Sequence, residues 1–129
     1  MAEDSRTNQM LAALMLKRLG WRVDVVSTGT EAVARYQQTS YDLVFMDCHM
    51  PGMDGFQATT EIRRLEAGSN RRVPILATTA SVLPEEQARC MRAGMDDFVA
   101  KPIHLRDMKR ALSRWAPDRH SEPVGAVAR

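Results

Sequence analysis

The sequence predicts an α/β fold in which helices cover both faces of a parallel β-sheet. Segments with strand character alternate along the chain with segments whose apolar residues recur at helical spacing. In addition, residues 43–46 form a continuous apolar run that is too short for a stable helix. Such a run is typical of a strand that is buried on both faces. Strands that alternate with helices are joined by right-handed crossovers, which make the sheet parallel.

The first half of the chain supplies two helices and one strand before that buried run. Apolar residues at helical spacing predict a first helix over residues 11–19, and Gly20 supplies its C-terminal stop. Residues 22–27 contain three valines and predict a β-strand. Thr28 and Gly29 predict a turn. One apolar face then marks a second helix, formed by Ala32, Val33 and Tyr36.

The second half continues the alternation with three helices and two strands. Apolar periodicity predicts a helix over residues 56–67, and residues 73–77 form the next buried strand. Pro84 suits the first position of a helix that ends at Ala93. Residues 98–100 form a short last strand. A clear apolar stripe then predicts the final helix, carried by Leu105, Met108, Leu112 and Trp115.

Composition limits the class of protein. The chain has 129 residues, of which 44% are hydrophobic and 26% charged, as in one ordinary globular domain. A net charge of +2 is too small to predict nucleic-acid or membrane binding. We expect a domain over residues 1–116 and a flexible tail or linker over residues 117–129, where proline, serine and glycine replace the apolar pattern.

The two cysteines, Cys48 and Cys90, belong to no CxxC motif, and reduced thiols in a cytoplasmic protein are expected. A zinc site built from them and His49 would match no known ligand spacing. The start of the chain has no signal-peptide character. Four arginines are expected to be solvated and to make no DNA contact: Arg63, Arg64, Arg71 and Arg72.

Polar residues close three of the predicted strands, namely Asp47, Thr79 and Lys101. The acidic pair Glu3 and Asp4 precedes the first helix, as the end of an earlier strand would. The carboxyl ends of parallel strands share one edge of the sheet, so we expect these side chains to form one pocket. Several carboxylates together favour Mg²⁺, and a lysine and a hydroxyl beside them suit phosphoryl transfer. Asp47 would then be the nucleophile that forms an aspartyl phosphate.

Taken together, these motifs resemble the receiver domains of two-component response regulators, and most closely those of hybrid histidine kinases. The resemblance runs from Glu3 to about Trp115. Four motifs carry it: E-D-S near the start, Y-D-L-V-F-M-D-x-x-M-P-G-M-D-G, A-T-T-A, and A-G-M-D-D-F-V-A-K-P. The resemblance implies a flavodoxin-like, doubly wound (βα)5 fold.

The resemblance also implies a role for each residue of the pocket. Asp47 is the phosphoacceptor, and Lys101 pairs with the phosphate, often with a cis bond before Pro102. The implied metal ligands of Mg²⁺ are Glu3, Asp4, Asp47 and the backbone carbonyl of His49. The implied switch residues are Thr79 and Phe98. The implied partner is a histidine kinase or a phosphotransfer domain, with a homodimer left open.

One feature of the family is largely missing, because only Met1 and Ala2 precede the acidic pair where an apolar first strand should stand. That strand would be central in the flavodoxin-like order. We therefore expect a chain that is truncated relative to a complete receiver. If it folds, its sheet should have four strands with a rearranged centre, or a strand borrowed from a partner. Glu3 and Asp4 would then be poorly anchored.

Two other functions compete with a phosphoacceptor. A module of the same fold that is never phosphorylated, and only binds proteins, would tolerate a damaged first strand. A phosphatase with an aspartate nucleophile usually needs a second acid two residues later, and position 49 is His. We therefore expect a signalling domain rather than a turnover enzyme.

Overall fold

The computed structural model describes residues 1, 6–50, 52–81, 83–116 and 126–127. Its helices are α1 Arg6–Arg18, α2 Gly29–Gln38, α3 Gly55–Glu66, α4 Pro84–Ala93 and α5 Leu105–Trp115. Its strands are β1 Val23–Asp24, β2 Leu43–Asp47, β3 Ile75–Thr79, β4 Asp97–Ala100 and β5 Ala126–Val127. Within the described residues, no helix combines the length and the apolar character needed to cross a membrane.

The five strands form one parallel sheet in the order β1-β5-β2-β3-β4. Every residue of β2 and β3 is buried, as expected for strands in the middle of an α/β sandwich. Helix α1 contacts α5, whereas α3 contacts both α2 and α4, so the helices form two groups. The predicted α/β class and parallel sheet are confirmed.

The centre of the sheet differs from both arrangements that we expected. The sheet has five strands rather than four, and the fifth comes from the same chain rather than from a partner. Strand β5 lies between β1 and β2, the position that the first strand holds in the flavodoxin-like order. Residues 126 and 127 were expected in a flexible tail, but these two lie in the sheet. The other boundaries of the predicted tail stay a prediction.

Local chemistry explains most of the element boundaries. Thr28 does not form an isolated turn, since its side chain accepts a hydrogen bond from the Glu31 backbone and caps α2. Pro84 occupies the first turn of α4, and Gly94 ends that helix with a left-handed backbone at φ 105°. Strand β1 is shorter than the predicted strand, because only Val23 and Asp24 pair within it.

One of the four arginines expected to be solvated is largely shielded from solvent instead. The side chain of Arg63 is only 13% exposed and forms ion pairs with Glu66 and Asp96. It also donates hydrogen bonds to the carbonyl oxygens of Val73 and Gly94. Helical periodicity predicted the helix but not this connection, since Asp96, Val73 and Gly94 lie outside that helix.

Candidate functional site

Asp47 ends β2 and is buried, with 2% of its surface exposed. Its Oδ2 atom lies 2.9 Å from Nζ of Lys101. The sequence placed these two residues 54 positions apart, and the parallel sheet brings their side chains into direct contact. A buried carboxylate is costly unless a charge or hydrogen bond compensates it, and the ammonium supplies that compensation.

The loop after Asp47 turns back tightly against the strand. The Gly55 backbone N–H donates to the Cys48 carbonyl at 3.1 Å. A Cβ atom at Gly55 would lie only 2.0 Å from the Asp47 carbonyl oxygen, so only glycine fits there. Asp54 caps α3, since its side chain accepts from the Gln57 backbone while the Gln57 side chain accepts from the Asp54 N–H.

Thr79 and Lys101 are held beside the Asp47 edge by the neighbouring strands. Thr79 ends β3 and pairs with Ala100 of β4, and the Lys101 N–H donates to the Thr79 carbonyl at 2.8 Å. The Thr79 hydroxyl is engaged with Ser81, accepting from its N–H at 3.0 Å and donating to its carbonyl at 3.3 Å. The peptide bond between Lys101 and Pro102 is cis, as the resemblance implied.

His49 lies at the same rim, with its backbone N–H donating to Oδ1 of Asp47 at 3.2 Å. Its ring points elsewhere, with Nε2 2.9 Å from Oε1 of Glu86 at the start of α4. Glu3 and Asp4 lie outside the described residues. In the part of the chain that the structure describes, no three acidic, histidine or cysteine side chains gather into a metal-binding group.

The donors that are described at this rim are compatible with Mg²⁺. The Asp47 carboxylate offers hard oxygen atoms, the ligand type that Mg²⁺ prefers, and the His49 backbone lies against it through the N–H that donates to Oδ1. Met1 and Arg6 are the described residues on either side of Glu3 and Asp4. Met1 is buried beside β1, and α1 begins at Arg6. Oxygen donors without thiolate or imidazole ligands fit a hard cation rather than zinc.

Phe98 is half-buried in β4. It lines a groove of about 160 Å³ between β4 and α5. Charged side chains of α5 share that groove, namely Asp107, Arg110 and Arg114. The predicted aromatic switch position therefore lies on a partly open face rather than in the core.

Two contacts of the site were not foreseen from the sequence. Ser81 holds the Thr79 hydroxyl, and Glu86 pairs with the His49 ring. Glu86 lies in the first turn of α4, where an acidic side chain is favourable without any partner, so its sequence position gives no sign of a contact 37 residues away. A hydroxyl two residues after Thr79 was the one available signal for Ser81.

This arrangement can support nucleophilic chemistry at a carboxylate. Asp47 is fixed by Lys101 on one oxygen and by a backbone N–H on the other. The same ammonium is placed to neutralise negative charge that arrives at that oxygen. The carboxyl ends of β2 and β3 and the residue after β4 thus offer a carboxylate, a hydroxyl and a cation, which are components suited to phosphoryl transfer.

Curated proteins of known type match this chain over most of its length. The chain is 41% identical over 130 residues to hybrid signal transduction histidine kinase L of Dictyostelium discoideum, a match that covers 98% of this chain and 8% of the relative. It is 39% identical over 131 residues to the sensor protein GacS of Pseudomonas syringae pv. syringae, covering 95% and 14%. The chain therefore spans only a small part of the length of these relatives.

Two solved structures share the fold. One is the receiver domain of the sensor histidine kinase PA1611 of Pseudomonas aeruginosa, with a magnesium ion in its active-site cleft. It has a TM-score of 0.80 and 42% identity, over 88% of this chain and 92% of that one. The other is the Ssk1 receiver domain of Saccharomyces cerevisiae in complex with the phosphotransfer protein Ypd1, with a TM-score of 0.83 and 27% identity over 90% and 86%.

The family model of the response regulator receiver domain matches residues 1–113. The fold, the cluster around Asp47 and the relatives agree with it. The chain belongs to the response regulator receiver domain family of two-component systems.

Proposed function

We propose that this receiver is cytoplasmic and accepts a phosphoryl group on Asp47 from a phosphohistidine of a histidine kinase or phosphotransfer domain. The observation that supports this most directly is the 2.9 Å contact between the buried Asp47 carboxylate and Lys101. A carboxylate held this way at the carboxyl edge of a parallel sheet lies where such folds bind ligands.

The proposed step exchanges one phosphorus bond for another. A carboxylate oxygen of Asp47 forms a bond to phosphorus while the bond between phosphorus and the donor's imidazole nitrogen breaks. The electron pair of the broken bond stays on that nitrogen. Lys101 stays close to the transferred oxygens and offsets their added charge.

The metal ligands that we propose are Asp47, the His49 carbonyl, and Glu3 and Asp4, with Asp4 the direct ligand of the acidic pair. When bound there, Mg²⁺ supplies positive charge that offsets the repulsion between carboxylates and phosphate. The solved receiver of PA1611 with magnesium in its cleft supports this assignment. The chain's own contribution is to hold the Asp47 carboxylate in a fixed orientation.

The proposed switch is a change of partner for the Thr79 hydroxyl. In the present structure both of its described hydrogen bonds go to Ser81. A phosphoryl group on Asp47 offers a stronger, charged acceptor than the Ser81 carbonyl, so the hydroxyl would move towards it. Release of Ser81 frees the start of the loop that leads to α4. The groove lined by Phe98 between β4 and α5 would report the change to a partner.

We further propose that a phosphotransfer domain docks on α1. Three of the six exposed large apolar side chains in the described part of the chain lie there, Met10, Leu11 and Leu14, at 51–62% exposure. Leu11 also lines a groove together with Lys101, so this surface is continuous with the acceptor site. The Ypd1 complex of the Ssk1 receiver shows that a relative of this fold binds such a protein.

Intact-mass measurement after incubation with Mg²⁺ and a small phosphodonor tests the central proposal. The chain should gain one phosphoryl group that is stable in acid and labile in base, and Asp47→Asn should abolish the gain. Asp54→Asn is the matched control, since it removes a carboxylate from the same loop but keeps a side chain that can cap α3. A chain that neither gains phosphate nor binds Mg²⁺ would instead be a protein-binding module without phosphorylation.

A comparison of two phosphodonors tests the docking surface. Leu14→Glu should slow transfer from a phosphorylated phosphotransfer domain by at least about tenfold, because a charge replaces a contact at the centre of an apolar surface. Transfer from a small phosphodonor should be unchanged, since Leu14 is 62% exposed and not part of the acceptor site. Equal slowing with both donors would contradict a docking role, and Glu85→Ala on α4 serves as a remote surface control.

A further inference from the structure

Strand β5 is hydrogen-bonded on both sides in the centre of the sheet. Ala126 pairs with Val23 of β1 and with Leu43 of β2, and Val127 pairs with Asp24 and Val44. Both pairings are parallel. Strand β1 has no direct pairing with β2 among the described ladders, so β5 is what joins it to the rest of the sheet.

The other end of the chain continues the same line of pairing. The Met1 amino group donates to the Asp24 carbonyl at 3.1 Å, and the Met1 carbonyl accepts from the Val26 N–H at 3.4 Å. Two bonds that bracket Val25 in this way are the pattern of a parallel ladder. Met1 is also 1% exposed. The C-terminal strand and the N-terminal residue therefore pair with consecutive parts of the same neighbour.

The connection from α5 to β5 is sterically reasonable. A helix that follows a parallel strand returns along the sheet, so the end of α5 lies towards the edge where the next parallel strand begins. Ten residues separate Trp115 from Ala126. Fully extended, ten residues span at most about 33–36 Å, which is comparable to the width of a domain of this size.

The position matters because β2 carries the acceptor aspartate. All five residues of β2 are buried, and backbone N–H and C=O groups in such a strand must be paired. Without β5, the side of Leu43 and Val44 that faces β1 would lose its partners. Loss of a central strand is far more damaging than loss of an edge strand, because two ladders are broken at once.

We propose that the segment containing Ala126 and Val127 serves, in the same molecule, as the central strand of this receiver. Ala126 and Val127 then belong to the folded unit rather than to a linker. The acceptor strand β2 depends on them for its pairing. Any partner or cleavage event that removes this segment from the sheet would unfold the region around β1 and β2, and thereby inactivate the acceptor site.

Amide hydrogen exchange of the unmodified chain gives the direct test. The amides of Ala126 and Val127 should exchange at least about 100-fold more slowly than in the unfolded chain, and as slowly as those of Val44 and Phe45. Exchange of these two amides at the unfolded rate, with β2 still protected, would overturn the proposal. This measurement requires no variant to fold.

A pair of substitutions at one position gives the second test. Val127→Pro removes the N–H and is not tolerated in a central strand, whereas Val127→Ile keeps both the N–H and the β-branched shape. The proline variant should lower the melting temperature by about 5 °C or more, while the isoleucine variant should change it by less than about 2 °C. Exchange should accelerate at Asp24 and Val44 first. An unchanged melting temperature in Val127→Pro would refute the assignment.

Protein concentration distinguishes a strand from the same chain from one donated by a second copy. The melting temperature should be the same over a wide concentration range, and the protein should elute as a monomer. A melting temperature that rises with concentration, together with a dimer on size exclusion, would show exchange of strands between two molecules and contradict pairing within one chain.

Discussion

Gly55 shows how a single residue limits the position of Asp47, the proposed phosphoacceptor. A Cβ atom there would come within 2.0 Å of the Asp47 carbonyl oxygen and 3.0 Å of the Cys48 Cα atom. Both are backbone atoms, so rotation of a side chain cannot relieve the contact. The close approach lets the Gly55 N–H bond to Cys48 and starts α3 directly behind the acceptor strand. Position 55 therefore couples the loop to Asp47.

We predict that Gly55→Ala displaces the end of β2 and slows phosphorylation of Asp47. Overpacking of this kind costs about 1–3 kcal/mol of unfolding free energy. Chemical denaturation and the rate of phosphate gain measure the two effects. Gly68→Ala is the matched control, because it has open space around it and only the strain of a positive φ of 85°. That variant should lose stability without a change in phosphorylation rate, and equal loss of rate in both would argue against local displacement.

At the level of the elements, sequence patterns predicted the helices and strands whose positions depend on neighbouring residues in the chain. The buried run of β2 and the apolar stripe of α5 are continuous in sequence, so their positions were foreseen closely. The contact between Asp47 and Lys101 was also foreseen, since parallel strands bring their carboxyl ends to one edge. Strand β5 was not foreseen. It has two residues, and its partners lie about 80–100 positions away in the chain, where no local pattern records them.

Arg63 is the second feature that local periodicity missed, and it connects three elements. Its guanidinium contacts Glu66 on α3 at 2.7 Å, Asp96 before β4 at 2.8 Å, and the Val73 carbonyl before β3 at 2.8 Å. Glu66 in turn accepts from the Val73 N–H at 2.7 Å and from the Tyr36 hydroxyl at 2.9 Å. One buried cation thus satisfies groups from several parts of the fold.

We predict that Arg63→Met lowers the unfolding free energy by about 3–5 kcal/mol. The reason is that Glu66 would remain buried without its cation, while Asp96 would lose one of its two arginine partners and keep only Arg72. Arg64→Met is the matched control on the next helical position. Its side chain is 67% exposed and pairs only with Glu61 among the described ion pairs, so the loss should stay below about 1 kcal/mol. Urea denaturation of both variants measures the difference, and similar losses would show that burial is not the cause.

For the whole molecule, the two tyrosines determine how the unfolding free energy changes at high pH. Burial and a hydrogen bond to Glu66 raise the pKa of Tyr36 to about 12. Burial and a hydrogen bond to Asp24 raise the pKa of Tyr41 to about 12 as well. Burial likewise raises the pKa of the Cys48 and Cys90 thiols. All four groups therefore bind their protons more tightly in the folded chain than in the unfolded one.

The sign of the effect follows from linkage. A group whose pKa is raised on folding adds stability below its unfolded pKa, and that stability is lost as the pH rises towards the folded pKa. For the tyrosines this window runs from 10 to about 12. We predict that the unfolding free energy falls across this window. The double variant Tyr36→Phe, Tyr41→Phe should show a shallower fall, with the thiols accounting for the part that begins near pH 9. Phenolate absorbance followed in native and denatured protein measures the shift directly, and native tyrosines that titrate near 10 would contradict the hydrogen bonds on which it rests.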